Sequence, residues 1–151
     1  MNEREVTWHA PFGPVIMEST ISDELFNILT TRGDQLREGK HPNPEINVKT
    51  NDYRSRLAGC LSEEYSYKGA LTPEEDKLVT TELTQLAAAF TKCARDGGKI
   101  QDAGIRSPEQ LIMQKPIWVN YMKAGEWNPA HNHTGKISCV FYLKVPKEIE
   151  I

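Results

Sequence analysis

The chain has 151 residues, 38% of them hydrophobic and 26% charged, which suits one folded domain with its own core and excludes a disordered chain. Its net charge is −3 and its pI is near 5.8, and no basic stripe is interleaved with aromatics, so nucleic acid is excluded as the main partner. No apolar run approaches the ~18 residues of a membrane span, and the start, MNEREVTWHAPFG, has no apolar signal core. The expectation is a cytoplasmic protein with no membrane partner.

Residues 6–19 alternate loosely and are broken by Pro11, Gly13 and Pro14, which predicts two short strands or one kinked edge strand. His9, beside Trp8, reads as a packed or exposed histidine. Ile21 to Glu38 reads as a helix, with Ser22 as N-cap, Asp23 and Glu24 at its positive end, and Gly39 as the stop. Leu25, Phe26, Ile28, Leu29 and Leu36 form its apolar stripe.

Residues 39–70 are rich in turn signals and read as loop, with His41 exposed. Tyr53, Arg54 and Arg56 fit a solvated polar loop or the wall of a pocket for an anionic ligand. Loops of this length on a small domain often serve as lids or partner surfaces. Leu71 to Asp96 is a second helix. Thr72-Pro73-Glu74-Glu75 supplies an N-cap, a proline at the first helical position and a capping-box glutamate. Val79, Leu83, Leu86, Phe90 and Cys93 recur at helical spacing, and Gly97-Gly98 ends it. Residues 99–113 connect. Cys60, Cys93 and Cys139 form no CxxC, so neither a disulfide framework nor a zinc knuckle is indicated. Each is expected to be a small buried hydrophobe.

The chemistry-bearing stretch is 118–145. Ile117 to Met122 is a strand by composition, with Trp118, Asn120 and Met122 on one face and Ile117, Val119 and Tyr121 on the other. After turns at 123–125 and 134–135, Ile137 to Val145 reads as a long strand buried on both faces. His131 and His133 stand between the two strands. On an extended backbone residues i and i+2 share a face, so two imidazoles can meet one metal ion. Two surface histidines in a polar turn have the same spacing.

Taken together, Trp118, Asn120, Tyr121, Gly125, His131-Asn132-His133, Gly135 and Ser138 to Leu143 resemble the 2-oxoglutarate- and iron(II)-dependent oxygenases. The likeness is greatest to the small prolyl-hydroxylase-like group from phages and bacteria. The resemblance implies an α+β fold in which N-terminal helices lie on an antiparallel double-stranded β-helix (a jelly roll). Residues 1–113 would be the helical support, and 114–151 the first core strands of one domain. It implies Fe(II) on His131 and His133, and 2-oxoglutarate held by Tyr121 with Asn120 and Lys144. Trp127 would line the substrate pocket, and the substrate would be a peptide side chain or a small metabolite.

The resemblance is partial. Most of the superfamily has a carboxylate where His133 stands. No His or Arg follows His133, and a jelly roll has roughly eight strands. The expectation is therefore the N-terminal part of a longer dioxygenase. The alternative is a non-catalytic jelly-roll module for binding or assembly, as in a virion component.

Overall fold

Each helix starts where the sequence supplies partners for its first N–H groups. The computed structural model describes residues 6–9, 15–52, 54, 59–96, 117–129, 135 and 137–148. Helix α1 runs Asp23–Arg37. The Ser22 hydroxyl accepts the Leu25 N–H at 3.1 Å and donates to Glu82 at 2.6 Å, and Glu82 also accepts the Ser22 N–H at 2.8 Å. Glu82 is buried. Ser22→Ala is therefore expected to cost about 1–2 kcal/mol, a cap plus a charge-assisted bond, measurable by urea unfolding. At the other end Gly39 takes φ 76° and its N–H reaches the Leu36 carbonyl at 3.1 Å. That left-handed turn is the glycine stop expected there.

Helix α2 runs Pro73–Asp96. Its capping box forms as the sequence predicts: Glu75 accepts the Thr72 N–H at 2.8 Å, and the Thr72 hydroxyl accepts the Glu75 N–H at 3.3 Å. Glu75 also takes a forked bond from Arg32. The Gly97-Gly98 stop lies outside the described residues.

Among the described residues four strands form two antiparallel pairs. β1 (Val6–His9) pairs with β2 (Ile16–Ser19), and β3 (Glu64–Ser66) pairs with β4 (Trp118–Asn120). The architecture is α+β, with two helices and two small antiparallel sheets. Among the described residues no helix is long and apolar enough to cross a membrane.

The chain divides into two compact units, with boundaries inside α1 at Leu25/Phe26 and inside α2 at Asp76/Lys77. In the first, Trp8 and Met17 face each other across β1–β2, and the Trp8 ring lies 5.8 Å from that of Phe90 on α2. Val79 and Ala94 are fully buried there. His9 sits outward, with Nε2 3.1 Å from Glu18. In the second unit, α1 from Phe26 onward lies on β3–β4, and Leu29, Leu36, Tyr67 and Ala70 make its core.

Four expectations are corrected. Phe26 is exposed, because Leu25, Leu29, Gly33 and Leu36 are the residues that turn inward along α1. The stretch 39–70 holds a 3₁₀ turn (Val48–Asn51) and strand β3, so it is not all loop. Asn51 caps that strand from the side, donating to the carbonyls of Ser66 at 2.7 Å and Lys68 at 3.0 Å. All three cysteines are exposed, so none is the buried hydrophobe expected. Finally, residues 137–148 form no strand, and Val140 and Tyr142 are 74% and 82% exposed. A strand needs a neighbour for its N–H and C=O groups, and among the described residues none pairs with this one.

Candidate functional site

The β3–β4 pair brings the candidate residues together by register. Glu64 stands opposite Asn120, Tyr65 opposite Val119 and Ser66 opposite Trp118. The ladder extends at both ends, through Tyr121 N–H to Glu63 O at 3.0 Å and Tyr67 N–H to Ile117 O at 2.9 Å. Successive residues point to opposite faces, so the pair has two chemically distinct sides.

One side, with Tyr65, Tyr67, Val119 and Tyr121, meets α1. The Tyr67 hydroxyl donates to the Leu29 carbonyl at 2.7 Å. The Tyr121 hydroxyl donates to Asp34 Oδ1 at 2.9 Å, and the Arg37 guanidinium lies 4.6 Å over its ring. Burial first, and then the Asp34 carboxylate, push the Tyr121 phenol upward. It therefore stays a neutral donor. Lys144 reaches Asp34 Oδ2 at 2.9 Å. The Lys144 bond, more than any other contact, holds the Asp34 carboxyl below its usual range. Two residues expected to hold 2-oxoglutarate, Tyr121 and Lys144, thus converge on one carboxylate, and Asp34 of the same chain provides it.

The other side carries Glu64 and Ser66, both buried, and Trp118 and Asn120, both half-buried. Glu64 has no exposed surface. Both its carboxylate oxygens and Asn120 Oδ1 are buried without a hydrogen-bond partner among the described residues. Because the flanking pairs carry the ladder bonds, Glu64 and Asn120 are a non-hydrogen-bonded pair, the closer kind, with Cα atoms about 4.5 Å apart. Burial, then repulsion from Asp52, raises the Glu64 carboxyl from 4.5 to about 7. A buried charge without a partner is costly, and the proton is retained to avoid it.

Trp127 is 55% exposed, and its backbone exchanges bonds with Cys60 at 2.9 and 3.3 Å. His131 and His133 lie outside the described residues. Among the described residues no group of three or more His, Cys, Asp and Glu side chains converges as a metal site. The orphaned oxygens of Glu64 on β3 and Asn120 on β4 are hard donors, the type that a hard cation prefers.

Glu64 and Asp34 were both missed in the sequence. Asp34 is one polar residue among many on a helix. Glu64-Tyr65-Ser66-Tyr67 does alternate, but the turn residues around it outweigh so short a run. Comparison with protein-family models, with curated proteins and with solved structures gave no match.

Proposed function

We propose that the chain is part of an Fe(II)- and 2-oxoglutarate-dependent dioxygenase of jelly-roll fold. It works in the cytoplasm and hydroxylates a peptide side chain or small metabolite. The observation that carries this reading is the buried, unpartnered polar atoms across the β3–β4 pair. Asn120 presents an unpartnered oxygen there, opposite the unpartnered Glu64 carboxyl, and His131-Asn132-His133 follow β4 in the sequence.

His131 and His133 would hold the iron through neutral imidazoles. Bound iron and 2-oxoglutarate supply the oxidising chemistry. This chain's own residues bind, orient and shield. Asn120 offers an amide to a ligand on that face. Glu64, retaining its proton up to about pH 7, offers one O–H and one acceptor beside it. Tyr121 and Lys144 supply a phenol and an ammonium that together suit a carboxylate. Trp127 gives an exposed aromatic surface at the substrate side.

On the complete polypeptide with Fe(II), 2-oxoglutarate should be converted to succinate, and His131→Ala should bring both iron binding and turnover to background. Absence of iron binding, or turnover unchanged in His131→Ala, would sink the reading.

One observation favours the non-catalytic module instead: Asp34 already occupies Tyr121 and Lys144. Asp34→Asn separates the two. In an oxygenase it frees the phenol and ammonium, and 2-oxoglutarate affinity changes. In a module with no cosubstrate it alters stability alone.

A further inference from the structure

The C-terminal end of α1, the loop that follows it and β3 enclose an open cleft of about 670 Å³. That is within the ~300–1,000 Å³ range of small-molecule sites. Its wall is two-sided in chemistry. Leu36, Ile46, Val48 and the Tyr65 ring make an apolar floor, while Arg37, Lys40, Lys49 and Arg54 stand around it. Asp52 is the one acid among the described lining residues, and with Glu38 and Glu63 beside Lys40 and Arg37 three carboxylates meet four cations in a chain whose net charge is −3.

The helix end contributes only about half a negative charge, too little to cancel this surplus. Three of the cations lean on carboxylates: Arg37 on Glu63 at 2.8 Å, Lys40 on Glu38 at 2.7 Å and Arg54 on Asp52. Their side chains are 43%, 71% and 51% exposed, and exposed pairs of this kind are weak and easily exchanged. Lys49 has no carboxylate partner among the described residues.

A second, separate feature points to the same ligand chemistry. His41 lines the cleft, and its Nδ1 lies 3.0 Å from both the amide nitrogen and the carbonyl oxygen of Asn43. In the tautomer that accepts the Asn43 N–H, the ring hydrogen sits on Nε2. That Nε2 is buried and has no partner among the described residues. In that tautomer the donor is shielded from water in a cationic wall, and an anionic oxygen matches it.

We propose that this cleft binds a small organic dianion, its charged group on Arg54, Lys49 and His41 and its apolar body on Ile46, Val48 and Tyr65. Phosphate monoesters and dicarboxylates share this chemistry, since the guanidinium fork accepts either. The proposal does not rest on the oxygenase reading, because Arg54, Lys49, His41, Ile46, Val48 and Tyr65 have no part in that reading.

Calorimetric titration of the metal-free 151-residue chain, in EDTA, with AMP, succinate and uncharged adenosine tests it. At least one dianion should bind saturably. Its affinity should fall about tenfold or more in Arg54→Ala and in Lys49→Glu, and should fall with added salt. The AMP and succinate arms tell which source of the dianion the cleft accepts. The EDTA keeps this result apart from any iron chemistry. Both cleft variants change exposed side chains, and an unchanged melting temperature confirms that they fold. Adenosine binding as tightly as AMP, affinity unmoved in the folded variants, or no saturable binding by either dianion overturns the proposal.

Discussion

Glu64→Gln is expected to stabilise the protein above pH 7. Glu64 is fully buried, and neither carboxylate oxygen has a partner among the described residues. Its carboxyl is raised from 4.5 to about 7. That displacement corresponds to at most about 3 kcal/mol once the group is ionised in both states. Glutamine keeps the shape, removes the charge and adds N–H donors that face Asn120 Oδ1. A gain of about 1–3 kcal/mol would raise the melting temperature by several degrees, at roughly 2–4 °C per kcal/mol for a chain of this size.

The pH dependence has a definite sign. Below about pH 4.5 Glu64 is neutral folded and unfolded, and contributes no penalty. Between 4.5 and about 7 the unfolded chain loses this proton first, so the folded state holds more protons and stability falls as pH rises. Above about 7 the penalty is complete and constant. Asp34, Asp52, Glu63 and Glu75 act oppositely, because their carboxyls are lowered and their contributions are lost in acid. The difference between parent and Glu64→Gln isolates the one group. Melting curves from pH 4 to 9 that show a constant difference would contradict the assignment.

Gly33→Ala gives the second large effect, with a sign opposite to the usual one. In an exposed helix interior this change gains up to ~1 kcal/mol. Here an added Cβ would lie 2.8 Å from the Tyr121 hydroxyl, 2.9 Å from the Tyr67 hydroxyl and 3.4 Å from Val119 Cγ1. Neither hydroxyl is free to retreat, since each is on a rigid ring and bonded to α1, to Asp34 and to the Leu29 carbonyl. Overpacking of this kind costs about 1–3 kcal/mol, which outweighs the propensity gain. Urea unfolding should show a net loss of about 1 kcal/mol by that reckoning. Adding Tyr121→Phe removes one clashing oxygen, so the double variant should be more stable than the sum of the single changes. Strict additivity would show that the close approach is not what excludes alanine.

The local signals were sufficient for the helices. Ser22, the Thr72-Pro73-Glu74-Glu75 box and Gly39 act within one turn of their own backbone, so they mean the same thing in the sequence as in the fold. The strand at 118–120 and its two-faced character were legible for a similar reason, because alternation is a property of the extended chain itself. The histidine spacing, and with it the oxygenase reading, likewise belongs to the sequence.

Tertiary structure decided what those faces meet. Tyr121 was singled out as a ligand contact, but only packing on α1 brings Asp34 to its hydroxyl and Arg37 to its ring. Glu64 became a candidate only through pairing with Asn120, a partner 56 positions away by their numbers (120 − 64). Residues 137–145 show the converse. Their alternation suits a buried strand, but pairing depends on a neighbour, and Val140 and Tyr142 stand exposed. Hydrogen bonding within a turn is fixed by adjacent residues, whereas burial and cross-strand contact depend on distant ones. Both helix starts and the Gly39 stop could therefore be read from the chain alone, and the orphaned carboxyl opposite Asn120 could not.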